Sequence, residues 1–115
     1  EITNNRLAVN GSGYFNGSVT TTDLIGSSDI TLKENIQVLQ PKKINSNYKT
    51  FNFIGNDQDR IGVIAQELEL TNPEFVRTDD KGIKSVSYTD LHSCEIAYLK
   101  DKIEKLEELV NKLIK

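Results

Sequence analysis

The C-terminal end of the chain carries a heptad repeat, and this repeat constrains the fold more than any other feature. Apolar residues recur there at alternating steps of three and four, and most of the positions between them are Lys or Glu. A strict stripe of this kind predicts a long helix that associates with copies of itself. The β-branched residues hold the a positions and the leucines hold the d positions: Ile96, Leu99, Ile103, Leu106, Val110 and Leu113.

The repeat by itself leaves the number of associating helices open. β-branched residues at a with leucine at d favour two strands. Leu109 at g and Ile114 at e widen the apolar stripe, which suits a third helix. The alternative is an amphipathic helix that packs on its own domain. We place the helix at residues 89–115, with Thr89 or Asp90 as its N-cap.

Composition also favours association and narrows the classes of function. The chain has 115 residues, 37% of them hydrophobic, so its own core is small and a partner is expected to cover more surface. The net charge is −3 without a basic stripe, and no apolar run is long enough to span a membrane, so we expect neither nucleic acid nor membrane as a partner. One cysteine, Cys94, and one histidine, His92, are too few for a metal site, so we expect no metal, no cofactor and a buried or half-buried thiol.

Two segments precede the helix. Residues 1–27 alternate sparse apolar residues with Asn-Gly and Ser-Gly pairs, which favour tight turns, and we interpret them as the end of a β-rich stalk. Residues 28–88 read as a small mixed globular region. Its clearest signal is a hairpin, because Phe75-Val76 and Val86-Ser87-Tyr88 flank Asp79-Asp80-Lys81-Gly82. The sequence thus predicts an α+β fold with a long C-terminal helix.

A serine and a lysine lie five positions apart at the start of the middle segment. The Ser28 hydroxyl becomes a nucleophile when a base takes its proton, and a lysine serves as that base when burial or nearby positive charge lowers its pKa. The nearest carbonyl belongs to Ser27, and attack there gives an N→O acyl shift, an ester and then hydrolysis. The alternative is an ordinary turn or helix cap at Ser28-Asp29 with a solvated Lys33.

Read in order, the motifs resemble a known family, the self-cleaving intramolecular chaperone domain at the C-termini of phage endosialidases, tailspikes and tail fibres. A related domain occurs in the myelin regulatory factor. The family pattern is Ser-Asp-x-Arg-x-Lys-x-Asn-Ile, an aromatic segment, Gly-Φ-Ile-Ala-Gln-Glu, Pro-Glu-Φ-Val and Val-x-Tyr-x-x-Leu before a coiled coil, where Φ is apolar. Residues 28–115 carry these blocks as Ser28-Asp29, Lys33, Asn35-Ile36, Tyr48 through Phe53, Gly62-Val63-Ile64-Ala65-Gln66-Glu67, Pro73-Glu74-Phe75-Val76 and Val86-Ser87-Tyr88-Thr89-Asp90-Leu91.

The resemblance implies a parallel trimeric coiled coil and a role in the trimerisation and folding of an upstream fibre or spike. It also implies a single-turnover serine peptidase that cuts its own chain between Ser27 and Ser28 and acts on no other protein. Ser28 and Lys33 would be catalytic, with a supporting motif of Asp29, Asn35, Gln66 and Glu67. The partners would be two further copies and the upstream segment of the same chain. The domain would work in the host cytoplasm during virion assembly. After the domain is released, the mature fibre would remain on the virion.

The chain departs from the family pattern at three places. Thr31 stands where the family has arginine, Phe53 stands where tryptophan is common, and the segment between Ile36 and Tyr48 is short. Thr31 keeps an alternative open, a non-cleaving trimerisation cap that stays attached to its fibre. A third alternative is a transcription factor segment like the eukaryotic relative, although this acidic chain lacks a nucleic-acid-binding surface.

Overall fold

A computed structural model describes residues 7–114. The chain divides into two units, Glu1–Ile36 and Gln37–Lys115. The first contains one turn of 3-10 helix, Ile30–Leu32. The second contains two small antiparallel sheets and two α-helices, in the order β1 (Lys49–Phe51), β2 (Arg60–Gly62), α1 (Ala65–Glu69), a 3-10 turn (Pro73–Phe75), β3 (Val76–Thr78), β4 (Lys84–Val86) and α2 (Tyr88–Leu113). The predicted α+β class is confirmed.

The described part of the N-terminal segment has no strand in the single copy, and its assignment as the end of a β-rich stalk stays a prediction. Residues 7–27 form no strand, and every side chain in this range is exposed, whereas the sequence predicted a β-rich end for residues 1–27. Residues 1–6 of that prediction lie outside the described residues. The physical reason is that a strand needs a partner for its backbone hydrogen bonds and a surface for its apolar face. A single copy of this polar segment supplies neither.

The hairpin predicted from the sequence is confirmed as β3 and β4. These strands pair antiparallel, with Val76 opposite Val86 and Thr78 opposite Lys84. The Asp79 carboxylate closes the turn, because its Oδ1 accepts hydrogen bonds from the backbone amides of Lys81 and Ile83, both at 2.9 Å. The aromatic segment also forms a strand, β1, which pairs antiparallel with β2.

A small core holds the second unit together. Its buried side chains are Val63, Leu68, Phe75 and Leu91, and half-buried Cys94 packs against them. Leu91 lies in the first turns of α2 and is fully buried. The start of the long helix is therefore anchored on the sheets and on α1.

Helix α2 has 26 residues and extends well past this core. It begins at Tyr88, one residue before the start that we predicted, and its N-cap is Ser87 rather than Thr89 or Asp90. The Ser87 hydroxyl donates to the Asp90 carboxylate at 2.9 Å. At about 1.5 Å per residue the helix is roughly 39 Å long. Residues 102–114 are exposed on every face. Among the described residues, no helix is long and apolar enough to cross a membrane.

Candidate functional site

One turn of 3-10 helix shapes the segment that contains the predicted catalytic pair. Asp29 caps the turn, because its Oδ1 accepts hydrogen bonds from the Thr31 amide at 2.8 Å and from the Thr31 hydroxyl at 2.6 Å. Backbone bonds from Leu32 N to Asp29 O and from Lys33 N to Ile30 O, both 3.1 Å, close it. The turn matters because five residues in extended backbone would span about 17 Å. It folds the chain back so that the ends of this short segment can meet.

The turn brings the lysine amine onto the serine hydroxyl. Lys33 Nζ donates a hydrogen bond to Ser28 Oγ at 2.6 Å. A neutral amine at the same separation would accept the hydroxyl proton, which is the geometry that a general base requires. Both side chains are exposed in the single chain.

The carboxylate next to the serine is directed to Thr31. The hydrogen bonds from the Thr31 side chain and amide hold the pKa of Asp29 below its ordinary value of 3.8. Within residues 7–114, no carboxylate lies within ion-pair distance of the Lys33 amine. Lys33 is therefore bonded to Ser28 rather than paired with an acidic side chain.

Asn35 ends this segment with an unusual backbone conformation. Its φ is 54°, in the left-handed region, where asparagine is tolerated better than most residues. Its side-chain amide donates to the Glu34 carboxylate at 3.4 Å. A contribution of Asn35 to the proposed cleavage stays a prediction.

The other two residues of the predicted supporting motif belong to the second unit. Glu67 on α1 forms an ion pair with Lys49 on β1 at 2.6 Å, and so joins the first sheet to the short helix. Gln66 lines an open groove together with Phe51, Phe53, Val63 and Tyr88. These contacts are structural, and a catalytic contribution of Gln66 or Glu67 stays a prediction.

Two blocks of the motif, far apart in sequence, meet at Tyr88. The Tyr88 hydroxyl accepts a hydrogen bond from the Val63 amide at 3.1 Å and lies directly against Gly62 Cα. A β-carbon at position 62 would overlap this hydroxyl and would approach the Phe51 ring to 3.3 Å. Glycine is required there because only a residue without a side chain lets the tyrosine dock.

A second polar contact ties α2 to the segment before β1. The Glu95 carboxylate accepts hydrogen bonds from the Ser46 hydroxyl at 2.8 Å and from the Tyr48 hydroxyl. Burial first, and then this bond to Glu95, raise the pKa of Tyr48 to about 12. The His92 ring lies between two tyrosine rings, with centroids 6.3 Å from Tyr48 and 5.6 Å from Tyr88. No sequence pattern predicted Ser46 and Glu95 as partners, since 49 positions separate them.

The a and d residues of the heptad repeat, which we call the seam, lie on one stripe of α2. Their side chains are exposed in the single chain. Their exposed fractions run from 53% at Leu106 and Val110 to 77% at Leu113. An exposed stripe of six large apolar side chains is what we expect of a helix that forms a coiled coil with further copies. The coiled-coil association of α2 and the number of helices in it both stay predictions.

Residues 7–114 contain no group of three or more His, Cys, Asp or Glu side chains arranged to hold an ion.

Comparison with known proteins identifies the middle of the chain. Residues 28–77 match the model of the family described as chaperone of endosialidase. The match begins at Ser28 and includes the Ser-Lys turn, both strands of the first sheet, and α1. No curated protein and no solved structure matches the chain.

Proposed function

We propose that the chain is an intramolecular chaperone of a phage tail fibre or tailspike, because residues 28–77 match the model of the family described as chaperone of endosialidase. In this proposal it trimerises, assists the folding of the fibre upstream, and is then released by cutting its own backbone between Ser27 and Ser28. The observation that carries the cleavage step is the 2.6 Å hydrogen bond between Lys33 Nζ and Ser28 Oγ.

The chaperone role follows from what a fibre needs in order to fold. Intertwined β-fibres depend on contacts between distant residues and expose strand edges, so they fold slowly and aggregate. A domain that trimerises by itself raises the local concentration of the three fibre ends and fixes their register. Helix α2 supports this role, because its apolar stripe is exposed while its first turns are anchored in the core by Leu91.

The proposed cleavage needs only groups of the chain itself and one water molecule. The lysine amine takes the Ser28 hydroxyl proton as Oγ attacks the carbonyl carbon of Ser27. The bond from that carbon to the Ser28 nitrogen breaks, the nitrogen takes the proton from the ammonium, and an ester joins Ser27 to Ser28 Oγ. Water then hydrolyses the ester, which leaves a carboxylate at Ser27 and a free hydroxyl and α-amine at Ser28.

Assembly supplies the condition that this chemistry needs. A lysine acts as a base in its neutral form, and burial favours that form. Ser28 and Lys33 are exposed in one copy, so further copies or the fibre end must cover them. Cleavage would then await correct assembly, and removal of the chaperone would make the fibre's assembly hard to reverse. The domain would act in the host cytoplasm during virion assembly, and the cut fibre would stay on the virion.

The mass of the protein made with its upstream fibre segment tests the cleavage. We expect a fragment that begins at Ser28, and we expect Ser28→Ala and Lys33→Ala to abolish it. Ser27→Ala is the matched control, since Ser27 contributes only its carbonyl group and its replacement should leave the fragment in place. An intact wild-type chain after trimerisation would overturn the cleavage and favour the attached trimerisation cap.

The folding yield of the fibre tests the chaperone role separately. We expect the upstream segment made without residues 28–115 to give less soluble trimer than the same segment made with the uncleavable Ser28→Ala chain. Equal yields of trimer would contradict the chaperone role, whatever the outcome of the cleavage experiment.

A further inference from the structure

The neighbour of the serine creates a problem for the proposed cleavage. A carboxylate beside a lysine stabilises the charged ammonium, and an ammonium cannot take the hydroxyl proton. Asp29 is adjacent to Ser28 and lies on the same turn as Lys33. If its carboxylate paired with the lysine, the amine would be held away from the serine in its protonated form.

The structure shows where the carboxylate goes instead. Asp29 Oδ1 accepts both hydrogen bonds that Thr31 can donate, from the amide at 2.8 Å and from the hydroxyl at 2.6 Å. The lysine amine is bonded to Ser28 Oγ. The other acidic residue of the segment is Glu34, whose Oε2 accepts a hydrogen bond from the Asn35 side chain at 3.4 Å.

We propose that Thr31 is a positioning residue for the self-cleavage, because its hydroxyl holds the Asp29 carboxylate on the turn and leaves the Lys33 amine free for Ser28. This inference rests on the proposed function. Thr31 touches none of the reacting atoms and acts through Asp29 alone. The family motif does not reveal this role of position 31. The Thr31 hydroxyl and the Lys33 amine compete for the Asp29 carboxylate.

Replacement of the hydroxyl by a methyl group tests the proposal. In Thr31→Val, Asp29 keeps only the amide bond, so its carboxylate is available to the lysine. We expect cleavage at neutral pH to slow about tenfold, and the pH profile of cleavage to move up by about one pH unit. Thr31→Ser is the matched control, because it keeps the hydroxyl and should cleave like the wild-type chain.

A second substitution separates this role from simple support of the turn. Asp29→Asn in the Thr31→Val background removes the carboxylate charge, so we expect it to restore the wild-type rate and pH profile. If Thr31 only stabilised the turn, Asp29→Asn would leave cleavage as slow as in Thr31→Val, because asparagine keeps the oxygen that caps the turn. A wild-type pH profile for Thr31→Val, or no rescue by Asp29→Asn, would overturn the proposal.

Crystal structures of the variants test the role of Thr31 even if the chain does not cut itself. For Thr31→Val we expect an Asp29 oxygen within ion-pair distance of Lys33 Nζ, and for wild type and Thr31→Ser we expect none. If the Thr31→Val structure keeps Lys33 on Ser28 with Asp29 unpaired, Thr31 has no positioning role. A wild-type chain that stays intact would contradict the proposed function, whereas these structures decide the role of Thr31 independently.

Discussion

Lys33 Nζ donates a hydrogen bond to Ser28 Oγ at 2.6 Å, across a single 3-10 turn that Asp29 caps. All the atoms that make this contact come from residues 28–33. The geometry of the pair is therefore local and does not depend on any other part of the chain. In the proposed cleavage, assembly would have to supply burial, but it would not have to bring Ser28 and Lys33 together.

Lys33→Arg separates charge from basicity at the proposed site. Arginine keeps the positive charge and a long side chain, but its guanidinium stays protonated and cannot act as a base. We expect full-length Lys33→Arg, made with its fibre segment, to trimerise normally and to yield no fragment that begins at Ser28, as judged by sedimentation and mass. Cleavage at a rate near that of the wild type would contradict the role of Lys33 as the base.

Ile103→Asp tests the seam of α2. An aspartate at an a position would place like charges together inside the coiled coil, so we expect the assembly to dissociate. Analytical ultracentrifugation measures the change. Asn111→Asp is the matched control, because it adds the same charge at a b position and should leave the assembly intact. If the assembly persists in Ile103→Asp, the seam has been assigned to the wrong residues.

Gly62→Ala tests the contact between the two distant motif blocks. The added methyl group would overlap the Tyr88 hydroxyl, and overpacking of this kind costs about 1–3 kcal/mol of unfolding free energy. Chemical denaturation measures the loss. Gly26→Ala is the control, since no atom lies within 4 Å of its added carbon and its φ is not in the left-handed region.

A double variant locates the source of that loss. Tyr88→Phe removes the hydroxyl that meets the new methyl group, although it also leaves the Val63 amide without its acceptor. We therefore expect Gly62→Ala to cost less in the Tyr88→Phe background than in the wild type. Strictly additive costs would show that the overlap lies elsewhere.

The Tyr48–Glu95 bond predicts a loss of stability at high pH. The fold favours the neutral phenol, because the pKa of Tyr48 is raised from 10.0 to about 12. A raised folded pKa means that this contribution is fully present below about pH 10 and is lost as the pH rises through about 12. We expect the stability difference between wild type and Tyr48→Phe to shrink over that window, as measured by denaturant unfolding at each pH.

The tyrosinate absorbance checks the same pKa directly. The difference between wild type and Tyr48→Phe isolates Tyr48 from the other three tyrosines of the chain. Glu95→Gln removes the negative charge beside the phenol, so the midpoint of the Tyr48 titration should fall towards 10. A midpoint that does not respond to Glu95→Gln would leave burial as its only cause.

Local sequence patterns predicted the hairpin and the long helix. The β3–β4 hairpin follows from Asp79-Asp80-Lys81-Gly82, because turn chemistry is set by neighbouring residues. The heptad predicted the long helix, whereas the cap assignment missed Ser87 and placed the start one residue late. The β-rich stalk end predicted before Ser28 is untested by a single copy, since Asn-Gly turns favour a hairpin only when the strands on both sides find partners.

The sequence by itself determined the α+β class, the long helix with its apolar stripe, and the spacing that lets a lysine return to a serine across one turn. Only the tertiary structure decided that Tyr88 docks on Gly62 and that Glu95 holds Ser46 and Tyr48. The physical reason is the separation in sequence between the residues that interact. Helix periodicity and turn propensity act between residues a few positions apart, whereas these contacts join residues 25 to 49 positions apart, and folding alone selects them.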